Sequence, residues 1–270
     1  MRFLLALLWR SSARIAWLFV GVAAVLMGLQ VLLVTIATVQ EEMQSFELIT
    51  RLAPSFLQRQ FGAALPIFLS FSGLVTFGYF HPVVLLTLTV ATAVVATELA
   101  GDIEEGQVDL LLARPLARHW LVTRSLIMML LVPVVLVALM LLATWVALSA
   151  SAPNGSTWPS AATLTSMAAH LIALAWVFGA LGLAAASTVR RRMTAMGPVA
   201  IAAVSLYLLD LLAAAWRPLA PLAIGSPFHY YQGAAILAGS ADVGADLLVL
   251  GSMTIVAAVC AYWRFSARDV

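Results

Sequence analysis

Six apolar runs, each long enough to cross about 30 Å of hydrocarbon, constrain this chain more than any other feature. They lie at about residues 15–39, 78–97, 121–149, 164–189, 196–216 and 245–263. In lipid a backbone must satisfy its own polar groups, so runs of this length are read as membrane-spanning helices. Composition agrees. Of 270 residues, 63% are hydrophobic and 10% charged, where soluble domains carry roughly a quarter. So little polar surface cannot cover a soluble fold of this length, and disorder is excluded more firmly still. The expectation is an all-α integral membrane protein with six transmembrane helices in a single domain over residues 1–270.

The first run is too long for a signal-peptide core and lacks a small-residue cleavage site, so it is read as retained. The uncharged stretch 65–97 is longer than one span needs. Pro82 disfavours helix at His81 and bends or divides the stretch. The crossing is placed at 78–97, with 62–77 as an outer, partly membrane-bound approach. Pro133 predicts a kink in the third span. The loop SASAPNGSTWPS is rich in turn formers.

Arginine sets the orientation. With the N-terminus inside, the inner segments hold 11 of the 14 basic residues and the outer ones hold Arg51, Arg59 and Arg217. This bias predicts both termini in the cytoplasm and outer loops at 40–77, 150–163 and 217–244. Three further segments have a character of their own. Residues 1–14 are amphipathic and predict an interfacial helix. Residues 41–61, interrupted by Pro54, predict an outer surface helix in one or two pieces. Residues 217–243, with Pro218, Pro221 and Pro227 beside Phe228, Tyr230 and Tyr231, predict an outer loop whose short elements dip into the interface.

All 14 basic residues are arginine. A Walker A phosphate loop needs its lysine, so none is present, and lysine Schiff bases are excluded likewise. A single cysteine, Cys260, excludes an internal disulfide and any multi-cysteine metal site. There is no Gly-x-Ser-x-Gly and no His-Glu-x-x-His. Four scattered histidines make no metal site by spacing, and the ten methionines form no one-sided stripe. No catalytic residue and no nucleic-acid partner are expected.

The densest information lies at 98–120, ELAGDIEEGQVDLLLARPLARHW, which holds five of the twelve acidic residues. Acids precede the apolar run Val108, Leu110, Leu111 and Leu112, and Arg114, Pro115 and Arg118 follow it. This order suits the dipole of a short helix that Pro115 then stops. A solvated loop helix is the plain reading. Three successive leucines in a short charged loop are better explained by a docking surface for a partner.

The pattern Glu104-Glu105-Gly106, Val108-Asp109-Leu110-Leu111-Leu112, Arg114-Pro115 and Arg118 resembles the first cytoplasmic loop of type-2 ABC exporter permeases. Valine-aspartate stands here where many members have threonine, leucine and glutamate. The terminal WRFSARDV and the outer Ser226-Pro227-Phe228-His229-Tyr230 resemble two further family features. The resemblance implies a short cytoplasmic coupling helix that docks on a separate ATPase. Glu98, Glu104, Glu105, Gly106, Asp109, Leu111, Arg114, Pro115 and Arg118 are the candidate coupling residues. It also implies two ATPase subunits, a second permease subunit, identical or homologous, and contact with membrane lipids in a prokaryotic plasma membrane. ATP and magnesium would bind the ATPase, with no cofactor in this chain.

Three polar residues within the spans are candidates for substrate contact. Asp210 is an intramembrane carboxylate, about 10 Å along a helix from Arg217, and either meets substrate or makes a structural polar contact. His81 precedes Pro82 and is placed to bond a freed carbonyl. His170 sits among small residues in the fourth span, where packing competes with a bundle-facing hydrogen bond. Arg190-Arg191-Arg192 is read as an inner-leaflet anchor. The run GALGLAAAS permits close helix packing, against its own bundle or a partner. Two other functions fit the layout: a membrane-embedded lipid-modifying enzyme, or a scaffold or sensor with a cytoplasmic docking loop.

Overall fold

A computed structural model describes residues 2–43, 65–106 and 119–267, and among these every regular element is helical. The main helices are α1 (Arg2–Glu42), α2 (Phe71–Phe80), α3 (Pro82–Ala96), α4 (Glu98–Glu104), α5 (His119–Ser151), α6 (Ala161–Ala186), α7 (Arg192–Ala215) and α8 (Val243–Ser266). Their starts follow local chemistry. Ser70, Ser160 and Asp242 accept a backbone N–H three residues on, at the heads of α2, α6 and α8. Pro82 occupies the first turn of α3, where its missing N–H costs nothing.

Six segments are long and apolar enough to cross a membrane: Leu8–Glu42, Phe71–Ala96, His119–Ser151, Ala161–Ala186, Arg192–Ala215 and Val243–Ser266. α6 is the axis of the bundle, packed against α3, α5, α7 and α8, while α1 lies on α5 and α2. Of the apolar window in α6, 72% is buried, against 17% in α7 and in α8. The outer helices therefore turn most of their surface outward, and that surface is apolar: Trp17 and Val20 on α1, Ile201 and Leu212 on α7, Leu248 and Val259 on α8. Hydrocarbon, not water, suits such a surface.

Close packing at the axis depends on small residues. A Cβ at Gly179 would meet Thr92 Cγ2 at 2.8 Å, and one at Gly182 would meet the Ala93 carbonyl oxygen at 3.2 Å. GALGLAAAS thus lets α6 approach α3 of its own bundle. Trp176 of α6 donates from its indole to the Leu130 carbonyl of α5 at 3.0 Å, three residues before Pro133. The helix runs through Pro133 unbroken.

The structure corrects several expectations. The N-terminal surface helix is not a separate element, because α1 is one continuous helix of 41 residues, about 60 Å long. Ser12, Ile15 and Ala16 line a groove with Met128 and Val132 of α5, so packing on α5 carries the helix straight on. The second membrane-length segment, Phe71–Ala96, includes residues 71–77 that were expected to lie outside the crossing, since α2 and α3 follow one another across His81. Pro82 does divide the stretch: His81 is extended, with ψ 133°. Glu41 and Glu42 belong to α1, while 44–64, which include most of the expected outer helix, lie outside the described residues. The aromatic loop at 217–243 does not merely dip into an interface. Its short helices at Pro227–Tyr230 and Gly233–Leu237 place Phe228, Tyr231 and Ile236 in the main core.

Candidate functional site

α4 follows the second crossing after a one-residue interruption at Thr97 and leads into the segment where the docking motif begins. Glu98 and Asp102 are four residues apart, so they share one helix face. That face is turned inward: both carboxylates are almost fully buried, at 2% and 1% exposure. Buried carboxylates need cations, and two helices supply them. Arg14 of α1 donates to Asp102 Oδ1 at 2.9 Å, and Arg124 of α5 lies 2.6 Å from Oδ2. Arg124 is itself buried. Ser11 hydrogen-bonds Glu98, whose Oε1 has no partner. Burial pushes the Glu98 carboxyl above the usual range, and Arg124, Arg14 and Arg192 pull against that shift.

The far end of α4 is pinned differently. Glu104 is exposed, yet its Oε2 accepts the backbone N–H of Arg192 at 2.9 Å. Arg192 in turn donates to the Val94 carbonyl of α3 at 3.0 Å, its side chain crossing Gly101. Glu105 follows, exposed and within the field of Arg14. Gly106 then ends the helix with φ +69°, and its N–H donates to the Ile103 carbonyl. That left-handed turn is cheap for glycine and strained for other residues. Asp109, Leu111, Arg114, Pro115 and Arg118 lie outside the described residues. At 119 the chain re-enters α5, five residues before Arg124.

The intramembrane candidates gather at the opposite end of the bundle but do not form one cluster. His81 caps α3, its Nδ1 accepting the Val83 N–H at 3.2 Å. Tyr79 cannot use that amide, and its carbonyl accepts instead the Tyr231 hydroxyl at 2.9 Å. The Tyr79 hydroxyl pairs with Thr144 of α5 at 2.8 Å. Tyr231 stacks on His170 at 5.7 Å and 18°. A carbonyl only accepts, so His170 Nδ1 carries the hydrogen it gives to Ser166 at 2.7 Å. Its Nε2 then faces Asp246 of α8 at 4.0 Å. Asp210 stands apart, 3.5 Å from His229 Nδ1, with both side chains about one-third exposed. Among the described residues no group of three metal-ligating side chains occurs.

Sequence reasoning singled out Glu98 and Glu104 but missed Asp102 with its partners Arg14 and Arg124, and Arg192 as the partner of Glu104. The four-residue spacing of Glu98 and Asp102 was a readable signal of a shared face. Arg14 and Asp102 are 88 positions apart, and no spacing rule joins them. The Ser-Pro-Phe segment also gains a physical role. Ser226 caps the turn by accepting the Phe228 N–H, and it donates to Leu206 of α7 at 3.1 Å. This fixes the loop that carries Tyr231.

No curated protein sequence matches the chain. A family-level likeness spans nearly all of it, from residue 9 to residue 270, over six membrane-length helices and a charged segment after the second. The chain therefore belongs to the ABC-2 family transporter proteins, as a multi-pass membrane component of an ABC transporter.

Proposed function

We propose that this chain couples ATP hydrolysis on two separate cytoplasmic ATPase subunits to outward movement of a substrate, as one of two permeases in a prokaryotic plasma membrane. The observation that carries this reading is the burial of Asp102 between Arg14 and Arg124, at the root of the segment with the docking motif. A segment that receives a push must be joined stiffly to the helices it moves. Ion pairs on α1 and α5 supply that joint, and buried pairs resist separation because parting them strands a charge.

The sequence holds no lysine and so no Walker A loop, which supports a partner as the site of ATP and magnesium. The arginine bias supports a cytoplasmic location for the end that carries Arg14, Asp102 and Arg124. The groove between α1 and α5 and the one lined by α6, α7 and α8 are apolar, which favours a hydrophobic or amphipathic substrate. Transport in this mechanism needs no catalytic side chain here: closure of the ATPases displaces the coupling segments, and the bundles shift against each other.

The test is co-purification followed by mutation. The chain should carry with it a soluble subunit bearing Gly-x-x-x-x-Gly-Lys-Ser/Thr. Polar replacement of Leu110, Leu111 and Leu112 should abolish ATP-driven efflux at normal membrane levels. Unchanged efflux would refute the assignment. Gly106→Pro should do the same, since proline holds φ near −65° and the native value is +69°.

A further inference from the structure

The geometry assigns Arg192, bonded to Glu104 and to the Val94 carbonyl, as a clasp that makes α7 the span driven directly by the coupling segment. The inference rests on the coupling role proposed above and adds a route for the motion. The first turn of a helix has backbone N–H groups without intrahelical partners. At α7 the residue in the capping position is Arg191, whose side chain makes no cap. The acceptor comes instead from α4: Glu104 Oε2 takes the Arg192 N–H at 2.9 Å, across 88 residues of sequence. A carboxylate at a helix N-terminus is also favoured by the helix dipole.

The second bond of the clasp has the same donor residue. The break at Thr97 ends α3, and Arg192 Nη2 donates to the Val94 carbonyl in its last turn at 3.0 Å. Gly101 of α4 lets the side chain pass, with Arg192 Cδ 3.4 Å from where a Cβ would stand. One residue thus gives its backbone to the end of α4 and its side chain to the end of α3. α7 is also the least constrained partner for a push, since only 17% of its apolar window is buried. α1 and α5, which Arg14 and Arg124 join to α4 at Asp102, have 33% and 44% of their windows buried. A displacement of α4 therefore carries the head of α7 with it.

Hydrogen exchange on the intact chain in lipid nanodiscs tests the clasp without any ATPase. Glu104→Ala should speed exchange in the first turn of α7 about tenfold, the effect of one lost charge-assisted bond. Glu104→Gln keeps an acceptor oxygen and should restore protection. Arg192→Ala keeps the backbone bond to Glu104 but removes the one to the Val94 carbonyl, and should speed exchange at the end of α3 instead. Unchanged α7 protection in Glu104→Ala, or failure of Gln to restore it, would overturn the clasp. A second arm uses the complex with its ATPase, spin labels at Glu105 and Met193, and Cys260→Ser as the background. The separation should stay constant on adding ATP and vanadate, and should change in Glu104→Ala. A changing separation in the otherwise unmodified chain would overturn the driven-span assignment. If no ATPase binds, the coupling reading fails while the exchange result still decides the clasp.

Discussion

Both ends of the bundle bury polar side chains, but they satisfy them with different chemistry. At one end Asp102 lies between Arg14 and Arg124, with Glu98 beside them. At the other, Tyr231 bonds the Tyr79 carbonyl and covers the His170 ring, while Tyr79 reaches Thr144. The first end is held by formal charges from three helices. The second is held by hydroxyls, a carbonyl and stacked rings around the break at His81 and Pro82. Charge pairs fail steeply when one partner is lost, whereas neutral bonds are lost one at a time at modest cost. The charged end thus behaves as a stiff joint, and the neutral end as a lock on a divided helix.

Removing Asp102 should make the largest difference. Asp102→Ala leaves Arg124 buried without its carboxylate and should cost about 3–5 kcal/mol in unfolding free energy. Thermal unfolding in nanodiscs would read this, and a loss below that of any change at the opposite end would break the contrast. Tyr231→Phe comes next. It keeps the ring on His170 and strands the Tyr79 carbonyl, at about 1–2 kcal/mol. The same unfolding assay applies, and exchange at 79–85 should rise.

Glu98 sharpens the contrast through pH. Burial raises its carboxyl in the fold above its value in the unfolded chain. Its contribution is therefore complete below the ordinary carboxylate range and is lost as pH rises through the raised value. Glu98→Gln removes that titration. The stability of the original chain relative to the variant should fall as pH rises, and a flat difference would mean that the arginines fully offset burial. The smallest effect belongs to His229→Gln. The His229–Asp210 pair is one-third exposed at 3.5 Å, and its loss should shift stability by about 0–1 kcal/mol.

The sequence made the helical class and the six crossings legible because apolar length alone sets them. Pro82 was legible too, since proline acts locally on the residue before it. The continuity of α1 was not. Arg10 and Arg14 look like an amphipathic surface pattern, but Arg14 serves Asp102 and the apolar residues beside it pack on α5. The aromatic residues at 228–231 carried an interface signature that also fits a core, and only the carbonyl freed at Tyr79 distinguishes the two. Within the charged segment, the family resemblance pointed to Glu98 and Glu104. Their partners come from α1, α5 and α7, and contact between distant elements leaves no periodic trace in one sequence. Arg192 shows this most plainly: read as part of a basic anchor, it also ties α7 to both α3 and α4.

Coupling at the charged end can be tested most directly by site-specific crosslinking in whole membranes. A photoreactive group at Glu105 and another at Ser240, beyond Gly233–Leu237 at the opposite end, would be compared in cells that make the cognate ATPase. The expected result is an ATPase adduct from position 105 and none from position 240. An adduct from 240, or none from 105 while the two subunits co-purify, would contradict coupling through this segment.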